Sequence, residues 1–230
     1  MQPASRLIVA LDTADVGRAR TWANAVAPWT GLLKLGLEFF LANGAEGVRA
    51  ITGAPVFLDL KLHDIPNTVA GGVRAVLPLR PKMLTVHAAG GRAMIQAAHQ
   101  AAAAAGNDRP MILAVTVLTS LDQADLQATG VSSAPADQVL RLARLALEAG
   151  ADGLVCSPLE VAMLRQALGA SPRLVVPGIR PRGSAPGDQA RTLTPADAVA
   201  AGADWIVVGR PVTAAADPAK AAADIAASIQ

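Results

Sequence analysis

Eight short apolar runs recur along this chain, and each gives way to a helical or loop segment before the next begins. They lie at Leu7–Leu11, Leu32–Leu35, Val56–Leu60, Met83–Val86, Ile112–Leu118, Gly153–Cys156, Leu174–Val176 and Trp205–Val208. Most are continuous rather than alternating, which predicts strands covered on both faces, as in a parallel sheet flanked by helices. Between two of them, Pro135–Ala149 has Val139, Leu142, Ala143 and Ala146 on one stripe, with Arg141, Arg144 and Glu148 opposite. That spacing predicts an amphipathic helix, with Gly150 as its stop. Two helix-to-strand joints read alike, Ala149-Gly150-Ala151-Asp152-Gly153 and Ala201-Gly202-Ala203-Asp204-Trp205, a faint echo of a repeated βα unit. Eight strands alternating with helices over 230 residues predict an α/β fold, a (β/α)8 TIM barrel in one domain over residues 1–230. A doubly wound sheet is the rival. It is disfavoured because Ala10-Leu11-Asp12-Thr13-Ala14-Asp15 after the first run carries no G-x-G-x-x-G turn.

Composition narrows the setting. Hydrophobic residues make up 52% of the chain, with no Tyr, three Phe and three Trp, so the core is built from aliphatic side chains. The formal net charge is +2 and no block of like charges appears; neither nucleic acid nor an anionic membrane is implied as a partner. Cys156 is the only cysteine, which rules out an intrachain disulfide and fits a reducing, cytoplasmic compartment. No signal peptide is evident in Met1–Asp12, and no run reaches the ~20 apolar residues of a membrane span.

In a barrel of this kind the chemistry sits at the carboxyl ends of the strands. Asp12 follows the first run, and Lys34 ends the second. Asp59 and Lys61 end the third, where residues two apart share a face. Thr119 and Ser120 follow the fifth, Pro177, Gly178 and Arg180 the seventh, and Gly209 and Arg210 the eighth. Lys34, Asp59, Lys61 and Asp64 are able to form a chain of alternating charges, which keeps both lysines cationic in a partly buried site. A fixed ammonium there stabilises a developing carbanion and then protonates it. The alternatives are a purely structural salt-bridge network or a Schiff-base lysine, and the neighbouring acids Asp59 and Asp64 argue against the second.

The loop from Ile179 to Arg191 holds Arg180, Arg182, Arg191 and Gln189, and Gly209-Arg210-Pro211 opens the last helix. Together they read as a phosphate grip with a closing lid, or else as a solvated surface loop. His63 points away from Asp59 and Lys61 if the strand continues, His87 reads as a satisfied core histidine ahead of a rim polar group, His99 as a helix-surface residue and Cys156 as inert core. No His, Cys and carboxylate set has metal-ligand spacing, and nothing calls for a redox cofactor.

The stretch Asp59-Leu60-Lys61-Leu62-His63-Asp64-Ile65-Pro66-Asn67-Thr68 resembles the signature of the orotidine 5′-phosphate decarboxylase family in its bacterial form. Five further segments fit in order: Val9–Asp12, Leu33–Gly36, Thr116–Ser120, Val176–Pro181 and Val208–Pro211. The resemblance implies a cofactor-free, metal-free barrel enzyme that converts orotidine 5′-phosphate to UMP and CO2, the last step of de novo UMP synthesis. It implies that Lys61 donates the proton to C6, that Asp59 faces the departing carboxylate, and that Lys34 and Asp12 engage the ribose and orient the charges. Asp64, Ile65 and Thr68 would enter a neighbouring subunit's site, making a homodimer with shared active sites. Thr119 and Ser120 fall where the family contacts the pyrimidine, and Arg180, Gln189, Gly209 and Arg210 where it grips phosphate, with Pro177 beside them. The nearest rival is a Mg2+-dependent sugar-phosphate decarboxylase or aldolase of the same superfamily, which holds its metal partly through an acid where this chain has Lys34. A non-catalytic nucleotide-phosphate binding barrel is the other.

Overall fold

The apolar runs are strands, and they close on one another. A computed structural model describes residues 6–181 and 192–229. The strands are β1 (Leu7–Ala10), β2 (Leu32–Gly36), β3 (Val56–Leu62), β4 (Met83–His87), β5 (Met111–Val115), β6 (Gly153–Val155), β7 (Arg173–Val176) and β8 (Trp205–Val208). Every neighbouring pair is parallel, and β8 returns to β1 through the Leu7–Ile206 register, which makes a closed eight-stranded barrel. The helices are α1 (Val16–Val26), α2 (Leu37–Ala50), α3 (Pro66–Val76), α4 (Gly91–Ala103), α5 (Gln123–Ala128), α6 (Pro135–Glu148), α7 (Val161–Leu168), α8 (Pro195–Ala200), α9 (Arg210–Thr213) and α10 (Pro218–Ala227). Among the described residues no helix is long and apolar enough to cross a membrane.

Strand parity sorts the core into two shells. One set of side chains, including Ile8, Leu32, Phe57, Met83, Leu113 and Trp205, packs into a single buried cluster inside the barrel. The other parity, including Val9, Leu33, Leu58 and Leu84, joins Ala23, Val48 and Val73 of the surrounding helices. This is why the runs are continuous: both faces of the strands are largely buried. Helix α6 buries Val139, Leu142, Ala143 and Ala146, the stripe expected from spacing, and Gly150 behind it takes a left-handed φ of 97°.

Most element ends move by no more than one residue from expectation, but two strand ends move further and one expected helix divides. Strand β5 stops at Val115 rather than Leu118, because its neighbour β6 ends at Val155 and leaves little main chain to pair with beyond it. Val117 and Leu118 instead wall the cavity described below. Strand β3 runs on to Leu62 through a register shift. The segment after Gly209 is not one helix: the single turn α9 ends, and Asp217 caps α10 by accepting from the Lys220 N–H at 3.0 Å.

The two similar joints prove to be equivalent staples. Asp152 accepts the Ile112 N–H of β5 at 2.8 Å and both Nη groups of Arg109 at 2.9 and 2.7 Å. Asp204 accepts the Leu174 N–H of β7 at 2.8 Å, with Arg165 at 2.5 Å and Arg173 at 3.1 Å. Each acid thus fastens the preceding odd-numbered strand at the amino-terminal end of the barrel, the end that serves stability. His99, expected on the surface, is half-buried beside Arg109 at 3.5 Å. Removing Asp204 takes the carboxylate from the Arg165 guanidinium, which keeps its carbonyl partners Gly202, Gly169 and Pro172, and takes the acceptor from the inner Leu174 N–H. Asp204→Ala should therefore lose about 2–3 kcal/mol of stability, read as a fall in Tm of roughly 4–12 °C. A thermal melt within about 2 °C of the parent would count against the staple.

Candidate active site

The site grows out of the barrel's own filling. Along β1 to β4 the inward parity runs from apolar to polar as it nears the carboxyl end, Ala10 to Asp12, Leu32 to Lys34, Phe57 to Asp59 and Met83 to Thr85, whereas along β5 to β8 it stays apolar. The result is a cavity of about 400 Å³ whose charged members are Asp12, Lys34, Asp59, Lys61, Arg180 and Arg210. Apolar side chains line it as well, among them Val115, Val117, Val155 and Val207. Water is thereby limited around buried Lys34 and Asp59, and their contact is strengthened, whereas Asp12 stays more than half exposed.

Four of the charges form an alternating chain. Asp12 Oδ1 lies 3.1 Å from Lys34 Nζ, Lys34 Nζ 3.5 Å from Asp59 Oδ2, and Lys61 Nζ 2.9 Å from both Asp59 oxygens. Gly36 leaves room for it: a Cβ there would stand 3.2 Å from Lys34 Nζ and 3.3 Å from Asp12 Oδ1. Burial pulls the Lys34 ammonium down, but Asp59 and Asp12 outweigh it and hold its pKa above the usual lysine value. Burial likewise pushes Asp59 up, and Lys34, Lys61 and the Thr85 hydroxyl together keep it below the ordinary carboxylate value. Both groups are therefore ionised at neutral pH. The expected chain ended on Asp64, whereas within one subunit it ends on Asp12. The main chain leaves the barrel after Leu62, and exposed Asp64 turns back to accept its own neighbour's N–H, that of Ile65, at 2.6 Å.

Asp59 and Lys61 do not meet by simple alternation. On a regular strand, residues two apart are separated by ~6.6 Å along the axis. Here the β3–β4 register shifts between Leu58 and Leu62, and Lys61 adopts a left-handed φ of 47°. That conformation costs a non-glycine residue about 1–2 kcal/mol, and it swings the ammonium back onto Asp59. Thr85 of β4, fully buried, accepts the Lys61 N–H at 2.8 Å and donates to Asp59 Oδ1 at 3.0 Å. Sequence reasoning passed over Thr85. Its signal was a hydroxyl at the inward parity of an otherwise apolar strand.

The remaining candidates fall on three sides. Thr119, Pro177, Gly209, Arg180 and Arg210 line the cavity, whereas Ser120 is exposed beside it. Arg180 is anchored through its N–H to Leu193 O at 2.9 Å, and partial burial and the nearby positive charge of Arg210 lower its pKa. Two guanidiniums facing one cavity make a site for a dianion. Gln189, Arg182 and Arg191 lie outside the described residues. Asp64, Ile65 and Thr68 are exposed and turn no side chain into this cavity.

His63 stacks on His87 with ring centroids 5.2 Å apart, and burial, then His63 and Lys61, lower the His87 pKa. Cys156, expected in the core, is buried yet sits in the cavity wall, with its thiol pushed far up by burial. Among the described residues no cluster of three His, Cys, Asp or Glu is placed to hold a metal.

The comparisons with known proteins agree with this geometry. An orotidine 5′-phosphate decarboxylase from Anaeromyxobacter sp. strain K is 56% identical over the whole of both chains. One from Gluconobacter oxydans is 55% identical over 96% of each. The crystal structure of orotidine 5′-phosphate decarboxylase from Lactobacillus acidophilus superposes with a TM-score of 0.86 at 38% identity, covering 97% of this chain and 98% of that one. Residues 5–225 match the model of a single family. With that match over nearly its full length and a barrel rim of the required make-up, the chain belongs to the orotidine 5′-phosphate decarboxylase / HUMPS family.

Proposed function

We propose that this chain decarboxylates orotidine 5′-phosphate to UMP and CO2 in de novo pyrimidine synthesis, in the cytoplasm, as one catalytic unit over residues 1–230. The observation that carries the reading is the Asp12–Lys34–Asp59–Lys61 chain in the same cavity as Arg180 and Arg210. The phosphate is gripped by the arginines, with Gly209 and Pro177 near them and Gln189 as a further phosphate contact on the family resemblance, and the pyrimidine lies toward Thr119 and Ser120. Lys34 and Asp12 hold the ribose hydroxyls. The substrate carboxylate is set against ionised Asp59, and like-charge repulsion favours its departure. As the C6–carboxylate bond breaks, its electron pair stays on C6 and CO2 leaves. The Lys61 ammonium stabilises that charge and transfers its proton to C6, then regains one from water. Phosphate binding remote from C6 supplies energy for holding the reacting groups together.

The Mg2+-dependent rival fits less well on the chemistry of the donors. Lys34 is a cation paired to both available acids, Asp12 and Asp59, and it would repel a metal placed between them. Turnover of orotidine 5′-phosphate in chelator-treated buffer tests the proposal. No turnover by folded protein, with a sugar phosphate consumed once Mg2+ is added, would overturn it.

A homodimer with shared sites belongs to the same proposal. Leu37, Leu41 and Ile65 are 47, 79 and 67% exposed at the rim next to the site, where α2 and α3 begin after adjacent strands. Exposed apolar groups on the same rim as Asp64 and Thr68 suit a face covered by a second copy. Asp64 from that copy would then close the charge chain beside Lys61.

Arg210→Ala should weaken UMP binding about 10–100-fold, the worth of one or two charge-assisted hydrogen bonds. Uridine, which lacks the phosphate, should bind as before. Calorimetric titration reads both, and unchanged UMP affinity would refute the phosphate assignment.

A further inference from the structure

We propose that Thr85 is a positioning residue, whose hydroxyl ties the Lys61 main chain to the Asp59 carboxylate and so sets where the Lys61 ammonium stands. The inference rests on the reading of Lys61 as proton donor. Thr85 is wholly buried and does not line the cavity, so any part it plays is through its neighbours.

Its geometry is directional. The Lys61 N–H points at Thr85 Oγ at 2.8 Å, which makes that oxygen an acceptor. The single hydroxyl proton then goes to Asp59 Oδ1 at 3.0 Å. The β3–β4 ladder is regular at Phe57–Met83 and Leu58–Leu84 and resumes at Leu62–Val86. Within the interrupted stretch the Lys61 N–H goes to this side chain. Thr85 thus stitches the bulge that gives Lys61 its left-handed backbone. It also shares Asp59 Oδ1 with the Lys61 ammonium itself. One hydroxyl therefore bonds the backbone of the donor and the carboxylate that aims it, in the manner of an outer-shell group that fixes a ligand's orientation.

Thr85→Val removes the hydroxyl and keeps the shape, and Thr85→Ser keeps the hydroxyl. The valine variant should lose about 10–100-fold in kcat, with KM and UMP affinity within about threefold, because no ground-state contact is lost. Its acidic limb in kcat/KM should move to higher pH, because Asp59 has one donor fewer. The groups facing Asp59 are Lys34 from β2, Lys61 from β3 and, through Lys34, Asp12; the Lys61 charge in turn helps lower the pKa of His87 of β4. All of these remain in the variant. Thr85→Ser should restore both the rate and the limb. A hydroxyl that matters only for stability would lower Tm and leave kcat per folded enzyme and the pH profile where they were, and that result overturns the proposal. So does a loss that serine fails to reverse. Thr85→Ala is read in the same way should the valine variant not fold. Full activity in Lys61→Ala would sink the Lys61 reading itself. An inactive Lys61→Ala beside an unimpaired Thr85→Val would sink only this inference.

Discussion

Lys61→Ala should lower kcat/KM for orotidine 5′-phosphate about 10⁴-fold, near the upper end for loss of a positioned proton donor, while UMP still binds. The reason lies in the division of the cavity. Lys61 is one member of the charge chain, and among the described residues Arg180 and Arg210 are the cavity's cations outside it. The variant still holds Asp59 between Lys34 and the Thr85 hydroxyl, so the acid remains ionised and in place. What disappears is the ammonium that meets the developing charge and the proton that follows it. Stopped assays of substrate loss, with UMP affinity on the same protein, separate the two effects. A rate within about tenfold of the parent would end the proposed mechanism.

Mixing two inactive variants should restore activity. Lys61→Ala and Asp64→Ala are each expected to be nearly inert as pure homodimers. In a mixed dimer with shared sites, one site carries both substitutions and the other carries neither. Random reassortment of equal amounts makes half the dimers mixed, so about a quarter of all sites are native. Activity should rise toward about a quarter of the parent's value as subunits exchange. If Asp64 acts only within its own chain, the mixture stays as inactive as its components. The expectation comes from where Asp64 stands: exposed, beyond the end of β3, bonded to its neighbour's N–H and directed away from its own cavity.

The barrel was legible because continuous aliphatic runs separated by helical stripes are a local property of the chain, and eight of them leave few ways to bury both faces of each strand. The positions of Lys34, Asp59, Lys61 and Arg210 were legible for the same reason, since a polar residue just past an apolar strand has one address in such a barrel. Period-two alternation also put Asp59 and Lys61 on one face. What alternation does not carry is the register between neighbouring strands. The shift between β3 and β4 depends on how two strands seat across the whole closed sheet, and that shift is what bends Lys61 back onto Asp59 and brings Thr85 beneath them.

The same distinction explains the other differences. The acid at the far end of the chain is Asp12, because β1 lies beside β2 in space and the main chain carries Asp64 outward. Strand β5 is short because β6 is short, a fact about a partner about forty residues away in sequence. The sequence by itself determined the order of strands, the rim on which the charges gather and the residue types available there. The tertiary structure alone decided which charges touch. Ion pairing and hydrogen bonding demand contacts of about 3 Å, and separations that fine are set by register, twist and closure of the whole barrel rather than by any local segment.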